Sequence, residues 1–565
     1  MGIKHFWIWF KEQHGEYITT HHRPKISTFG IDTDMLAIDM NGIFHTCAQK
    51  VFRYGNYAPR NKNLITKRRQ PNYRTLEKRL FEAVAAEVDL YRRLVNPKKR
   101  LLLCVDGIAG MAKMSQQRQR RFRSAKESSG GGFDSNCITP GTRFMNNLSK
   151  YLDWYIRMQV SVNPKWQHLE VIFSNEKVPG EGEHKIVHYL RKYRTMGESC
   201  CIHGMDADLI MLGLASPCED IYILRDDSFK HDVSHMVNLG RVRVELSKRL
   251  NNGATGNVKH INDFLLMCYA VGNDFLPHAP GIEILSGGID TMIEIYNDVE
   301  EEYGYLSRRF RGQLRMCKES FSHYLEDFSS LEEEMFNKKL NGRHSTFPDP
   351  VMDKYIHVDA DGKKVLNIEE YKKEYYATKF PNHTVEQVCN EYIFGMRWVL
   401  DYYTSGIPMW SWCYPWHYSP FMSDVAKFMP KFSCKKYGSD EPFTPFQQLM
   451  TVLPEKSAHL LPAPIGALMK ESSPTLGAYF PADFEIDMAG KRREWEGIVL
   501  LPKIDKDLFF SELAAVMPTV DPRDLSRNKP GKIFSYSHIK ESRFVFKSYY
   551  GDITENYCNR RFVDF

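Results

Sequence analysis

Short apolar runs that end abruptly at an acid constrain this chain more than anything else in it. Leu101-Leu102-Leu103-Cys104-Val105 is followed by Asp106-Gly107, and Met35-Leu36-Ala37-Ile38 by Asp39-Met40-Asn41-Gly42. A third run, Ser199 to His203, leads into Gly204-Met205-Asp206-Ala207-Asp208. Runs this short, with no polar alternation, suit strands buried on both faces, as parallel strands are. Each acid then projects at or just beyond a strand's C-terminal tip. A fourth strand, Leu169 to Ser174, precedes Val178-Pro179-Gly180-Glu181-Gly182-Glu183-His184-Lys185. Strand-then-helix repetition predicts an α/β fold, a mostly parallel central sheet flanked by helices, with ligands bound outside the carboxyl ends of the strands.

Asp39, Asp106, Asp206 and Asp208 all emerge at that edge. Glu181 and Glu183 stand where the helix Ile186 to Tyr193 begins. One glutamate there would ordinarily be a partner of the helix dipole, but two flanked by glycines read as ligands. The helix Ile261 to Val271 ends in Gly272-Asn273-Asp274-Phe275-Leu276-Pro277, which puts a further acid, Asp274, at a turn opened by glycine. Two unit charges about 4 Å apart repel by roughly 4 kcal/mol at an effective dielectric near 20, so such a cluster calls for cations. Oxygen-only ligation with no His or Cys set selects Mg²⁺, with Mn²⁺ as the alternative. Two such ions would activate a water and stabilise a leaving 3′-oxygen.

Directly after Asp106, the run Met111-Ala112-Lys113 to Arg123 is strongly cationic. Lys113, Gln117, Arg120 and Arg121 fall at i, i+4, i+7 and i+8, one face of a helix. A solvated basic face is the commoner outcome for such a run. The carboxylate beside it favours the other outcome, an anion pocket in which arginine forks and a lysine enclose a terminal phosphate. His45 follows Asp39 by about one helical turn and reads as a ring for base stacking, against the plain alternative of a packed histidine. Residues 53 to 74 carry Arg53, Arg60, Lys62, Lys67, Arg68, Arg69 and Arg74 among Tyr54, Tyr57 and Tyr73, and fit an RNA approach surface and a solvated loop equally well.

With a net charge of only +6 over 565 residues, any nucleic-acid footprint must come from such local clusters. The length predicts more than one domain. Twelve cysteines without CxxC pairs point to reduced thiols in an intracellular compartment. Residues 1 to 20 predict an N-terminal helix packed on the body, and no run reaches the length of a membrane span.

Together, Asp39-Met40-Asn41-Gly42 with His45, Asp106-Gly107-Ile108-Ala109 with Lys113 to Phe122, Pro179 to Lys185, Asp206-Ala207-Asp208 and Gly272 to Pro277 resemble the XRN family of 5′-to-3′ exoribonucleases. The resemblance covers residues 1 to about 290. It resumes near 385 with Met409-Trp410-Ser411-Trp412-Cys413-Tyr414-Pro415-Trp416 and with Pro442 to Met450. It implies a PIN/FEN-like nuclease core over 1–290, a divergent helical connector over 291–384, and a second, helix- and loop-rich region over 385–565 wrapped around the core to close the cleft. The seven acids would bind two catalytic metal ions, and Lys113, Gln117, Arg120 and Arg121 would form a pocket for an RNA 5′-monophosphate. His45 would stack on the first base, with Trp410 or Trp412 as its partner.

The implied activity is processive 5′-to-3′ degradation of single-stranded RNA to 5′-mononucleotides. It would be carried out by a cytoplasmic monomer acting beside a decapping enzyme, with the nucleus as the alternative compartment. A flap-type 5′ nuclease acting on DNA and a noncatalytic RNA 5′-end scaffold are the rival readings. Two departures from the family pattern stand out. Gly110-Met111 replace a usual Pro-Arg, which is expected to loosen the turn before Lys113, and Arg143 replaces a usual acid. The chain reads as a minimal catalytic version of the family.

Overall fold

The computed structural model describes residues 5–58, 72–127, 132–193, 197–227, 230, 232–270, 272–284, 287–342, 347–433, 436–491 and 493–565. The expected basic approach surface lies largely outside them: Arg60, Lys62, Lys67, Arg68 and Arg69 fall in the segment 59–71.

The apolar runs form the middle of one nine-stranded sheet. Its first seven strands are β1 (Ile18–His22), β2 (Met35–Asp39), β3 (Arg100–Cys104), β4 (Glu170–Ser174), β5 (Cys200–His203), β6 (Ile221–Asp226) and β7 (Val233–Asn238). The spatial order is β1-β7-β6-β5-β2-β3-β4, and two C-terminal strands continue it. Strands β6, β5, β2, β3 and β4 run parallel, and β7 and β1 are antiparallel additions at one edge.

Alternate residues of the central strands fill two cores. Met35, Ala37, Leu102 and Cys104 enter one, while Leu36, Ile38, Leu101 and Leu103 enter the other. This is why the runs carry no polar alternation. Each such Leu or Ile contributes about 1.5–3 kcal/mol of burial.

Helices α2 (Met40–Phe52), α3 (Tyr73–Val95) and α5 (Arg143–Val162) cover the second core. Helix α3 begins at Asn72, whose side chain accepts the Thr75 N–H at 2.9 Å, and stops where Asn96 turns left-handed at φ 54°. The opposite face is covered by α1 (Phe6–His14), α6 (Gly182–Tyr193), α7 (Asp208–Leu214), α8 (Leu239–Arg249) and α9 (Val258–Ala270). Helix α4 (Met111–Glu127) instead packs Met111, Met114 and Phe122 into a third core with Phe446, Leu449 and Met450.

Beyond α9 the chain forms α10 (Gly288–Tyr303) and a hairpin of β8 (Ser307–Phe310) and β9 (Gln313–Met316). Helices α11 (Lys318–Ser330), α12 (Glu332–Asn341) and α13 (Ile368–Lys379) follow. Helix α14 (Val385–Ser405) opens on a capping box in which Thr384 and Gln387 satisfy each other's backbone N–H groups. It returns to the first core through Cys389, Ile393, Met396, Trp398 and Leu400.

Two expectations change. The N-terminal helix predicted over 1–20 is α1 alone, and Ile18-Thr19-Thr20 continues as the edge strand β1, because two threonines and an isoleucine favour a pleated edge over a helix. The second region is also more than helices and loops. Its last strands, β14 (Ile533–Arg543) and β15 (Asn556–Val563), extend the main sheet, with β14 antiparallel to β4. Two short ribbons, β10 (Ile356–Val358) with β11 (Lys364–Leu366) and β12 (Glu485–Asp487) with β13 (Ile498–Leu500), account for the remaining strands among the described residues. All described cysteines are unpaired, and no described helix is long and apolar enough to cross a membrane.

Candidate active site

The chain runs from β2 outward to β3 and β4, then returns to place β5 on the other side of β2. This switch point opens a crevice at the C-terminal edge of the sheet, and the acids gather there. Asp39 ends β2, Asp106 lies just past β3, and Asp206 and Asp208 follow β5.

Backbone bonds fix the loops. The Asn41 side-chain oxygen accepts the Asp106 N–H at 3.0 Å, and Asp106 Oδ1 accepts the Gly182 N–H at 2.7 Å. Gly107 N–H donates to Gly180 O at 2.8 Å while Gly180 N–H donates to Ile108 O at 2.7 Å, so the turn after β3 and the loop carrying Glu181 are clamped together. A Cβ on Gly107 would run into Val178 O, and one on Gly182 into Asp39 Oδ1. The bare backbone is what lets these loops approach. Buried Lys185 completes the clamp, donating to Val105 O at 2.7 Å and Asn175 O at 2.9 Å.

Asp274 reaches the same place from the other side of the crevice. Gly272 adopts φ 108°, and Asn273 Oδ1 accepts the Phe275 and Leu276 N–H groups at 2.8 and 3.0 Å, holding the turn. Lys113 Nζ joins the two sides, 2.6 Å from Glu181 Oε2 and 2.7 Å from Asp274 Oδ2. Arg225 donates to Asp206 O at 2.9 Å from behind, its guanidinium over the Trp7 ring.

Several of the acids are raised by burial and by one another. Burial, then Asp106 and Asp206, raise Asp39 well above the usual carboxylate range. Burial, then Asp206 and Asp208, do the same to Glu183. Burial and Asp274 push Asp208 up to about 7. Lys113 answers them: burial pulls its pKa down, but Asp274, Glu181 and Glu183 hold it well above its ordinary value.

The donor set fits divalent metal, being all carboxylate oxygen, with buried Asp39 Oδ1 and Glu183 Oε2 lacking any hydrogen-bond partner. Among the described residues no three of these side chains close on one point as a ready-made ion cage. The ammonium of Lys113 serves instead as the cation between Glu181 and Asp274.

The residues expected to form the phosphate pocket, a notch beside the acids, divide. Lys113 points into the acid bowl rather than standing apart from it. Gln117 is buried with its Oε1 unpartnered, and Arg121 likewise keeps Nη1 buried without a partner. Burial and neighbouring Arg120 bring Arg121 down to about 9, which leaves it charged at neutral pH, while Arg120 itself is exposed. Burial and both arginines hold His45 at about 4, so its ring is neutral.

The rest of the basic helix serves the fold. Arg118 donates to Thr451 O at 3.0 Å and to Tyr479 O, and lies over the rings of Phe122 and Phe480. Arg123 donates to Trp495 O and Gly497 O.

The two tryptophans separate as well. Trp412 is only 6% exposed, packs 4.9 Å from the Trp398 ring and donates Nε1–H to Glu391 at 2.9 Å, so it is a core side chain and not a stacking platform. Trp410 is half-buried at the start of α4, where its carbonyl accepts the Met111 N–H at 2.7 Å. That bond also corrects the expectation of a loosened turn: Gly110 lies against the Trp410 backbone, and the turn is held across the cleft.

Two site residues escaped the sequence reading. Tyr402, on α14, donates its hydroxyl to Glu181 Oε1 at 2.5 Å from more than two hundred residues away, a relation no local pattern carries. Lys185 did carry a signal, since a lysine two residues into a buried helix after Glu183 needs partners.

A parallel sheet that pools carboxylates at its strand ends, beside a cationic helix, defines the class of PIN-like nucleases. Residues 1–227 match the model described as "XRN 5'-3' exonuclease N-terminus", and residues 257–361 and 353–559 match that described as "Xrn1 helical domain". The chain belongs to the XRN family. It is 29% identical to 5'-3' exoribonuclease 1 of Homo sapiens, over 97% of this chain and 36% of that protein. Against the 5'-3' exoribonuclease 2 homolog of Drosophila melanogaster the identity is 30%, over 90% of this chain and 68% of the relative. Against 5'-3' exoribonuclease 1 of Saccharomyces cerevisiae it is 27%, over 99% and 46%. The chain thus spans about a third to two thirds of the length of these relatives.

Proposed function

We propose that the chain is a 5′-to-3′ exoribonuclease that takes 5′-monophosphorylated single-stranded RNA and removes 5′-mononucleotides one after another. What supports this reading is a set of acids at the strand ends in which burial and neighbouring carboxylates raise Asp39, Glu183 and Asp208, with the buried, unpartnered Nη1 of Arg121 on the cationic helix that follows Asp106.

Asp39, Asp106, Glu181, Glu183, Asp206, Asp208 and Asp274 would hold two Mg²⁺ ions, which supply an activated water and charge neutralisation at the leaving oxygen. The chain's own groups do the rest. Gln117, Arg120 and Arg121 receive the terminal phosphate as neutral and charged donors, and Lys113 stands ready to share its ammonium between that phosphate and the acids. Neutral His45 offers a ring face to the first base, with Trp410 as the second stacking ring. Tyr402 and Lys185 position Glu181 and its loop. The entrance is built from both halves of the chain, which favours a single strand over a duplex and couples each removal to an advance of the strand. In this reading the protein works as a cytoplasmic monomer on the 5′-monophosphate ends that a decapping reaction leaves.

Asp208→Ala tests the assignment, because it removes a carboxylate without touching the notch. Turnover is expected to fall by about a thousand-fold or more while affinity for 5′-monophosphorylated RNA persists. A variant that kept most of its turnover would remove the acids from the mechanism. A forked DNA cut in preference to RNA would replace the substrate assignment.

A further inference from the structure

The hairpin of β8 and β9 reads Ser307-Arg308-Arg309-Phe310-Arg311-Gly312-Gln313-Leu314-Arg315-Met316, and three of its features work against its own stability. Arg308 and Arg315 are direct cross-strand partners, so two like charges face each other where opposite charges would stabilise. Arg311 takes the first position of a two-residue loop at φ 49°, followed by Gly312 at 82°, a left-handed pair that favours Asn-Gly over any long side chain. Glu300, Glu301 and Glu302 close the helix just before, yet among the described residues none of Arg308, Arg309, Arg311 and Arg315 forms an ion pair. Phe310, beside them, is 57% exposed with the Arg311 guanidinium over its ring.

The root of this hairpin is rigid. Buried Asp263, on the helix that leads to Asp274, accepts the Leu306 N–H at 2.8 Å, the Ser307 hydroxyl at 2.5 Å and the Tyr296 hydroxyl at 3.1 Å. Leu314 is buried in the first core. Arg309 adds its charge to that of Arg191, near the end of α6. Arg191 lies eight residues along that helix from Glu183, about 12 Å at the helical rise, so the cations stand outside the bowl.

We infer that this hairpin is a second RNA contact, which grips the phosphate backbone of the strand outside the cleft. A polyanion relieves the Arg308–Arg315 repulsion and neutralises Arg308, Arg309 and Arg311, whereas Arg315 already lies in the field of Asp401. Guanidinium forks match phosphate oxygens, and an exposed phenylalanine offers a base a stacking face. This rests on the proposed RNA substrate and adds where the body of that substrate is held.

The test uses the full chain in EDTA, which prevents cutting, with 5′-monophosphorylated RNAs of about 5 and about 30 nucleotides over a salt series. The double variant Arg308→Gln, Arg309→Gln is expected to bind the long RNA about tenfold more weakly. Its slope of log affinity against log salt should be shallower by about 1.4, and binding and Mg²⁺-dependent turnover of the short RNA should be unchanged. Arg311→Asn, which relaxes the loop, is expected to weaken long-RNA binding with no fall in Tm.

An unchanged slope and affinity on the long RNA would overturn the inference, as would equal losses on both lengths. Polyglutamate competing as well as RNA would overturn it in favour of an acidic protein partner. If the wild type cut no RNA of either length but kept hairpin-dependent binding of the long one, the exoribonuclease reading would fail and the hairpin assignment would stand.

Discussion

His45 shows how a single ring is tuned by its surroundings. Burial and two arginines keep it at about 4, so it carries no charge near neutral pH. Because its folded pKa lies below the usual 6.5, protonation is resisted and the ring contributes only as an apolar face. His45→Phe is therefore expected to keep most of the turnover, and His45→Ala to lose about tenfold, a stacking contribution of 1–3 kcal/mol. The ratio of wild-type to His45→Ala rates should stay flat from about pH 5.5 to 8.5; a bend near the ordinary histidine value would show that the imidazolium takes part. Gly182 makes a harder prediction. Gly182→Ala pushes a methyl into Asp39 Oδ1 and is expected to abolish turnover while the sheet, and hence the melting transition, changes far less. A fully active Gly182→Ala enzyme would mean that Asp39 does not need this place.

At the scale of elements, α4 is one helix with two employers. Its Lys113 pairs with Asp274, its Gln117 and Arg121 are the proposed phosphate-binding groups, and its Arg118 and Arg123 are committed to carbonyls of the second region. Arg118→Met is expected to cost about 2–4 kcal/mol, measured as lost stability, because it strands one buried and one half-buried carbonyl and breaks the seam between α4 and α16 (Pro445–Val452). Arg121→Ala should leave the melt nearly unchanged and instead raise KM for 5′-monophosphorylated RNA. Swapped phenotypes would mean the faces are assigned the wrong way round. The helical spacing groups Lys113, Gln117, Arg120 and Arg121, but it does not show that Lys113 pairs with Glu181 and Asp274, that Gln117 is buried or that Arg120 is exposed. It could not show that the arginines interleaved with them were already committed, since their acceptors come from more than three hundred residues downstream.

Over the whole molecule, what the sequence made legible is what is local: the strands, because an unbroken apolar run has few other uses, and the acids at their tips. Sheet order, the entry of Tyr402 beside Glu181, and the burial of Trp412 depend on how distant segments dock. The addition of β14 and β15 to the main sheet was hidden for the same reason, since β14 pairs with β4 far back along the chain, Phe534 opposite Phe173. The same long-range docking joins the two halves across the crevice through the Met111 to Trp410 bond and the Ala109 N–H to Gln448 bond at 2.8 Å. Removing metal with EDTA is accordingly expected to stop turnover without unfolding the chain, because Lys113 continues to neutralise Glu181 and Asp274. A collapse of the melting transition in EDTA would give the ions a structural role instead.

The most direct measurement offers the purified protein, with Mg²⁺, two RNAs that differ only at the 5′ end, one a monophosphate and the other a hydroxyl. The monophosphate strand is expected to shorten from its front end to mononucleotides at least about tenfold faster, the worth of one or more charged hydrogen bonds. Equal rates on the two strands, or release of longer fragments, would contradict the pairing of acid bowl and phosphate notch.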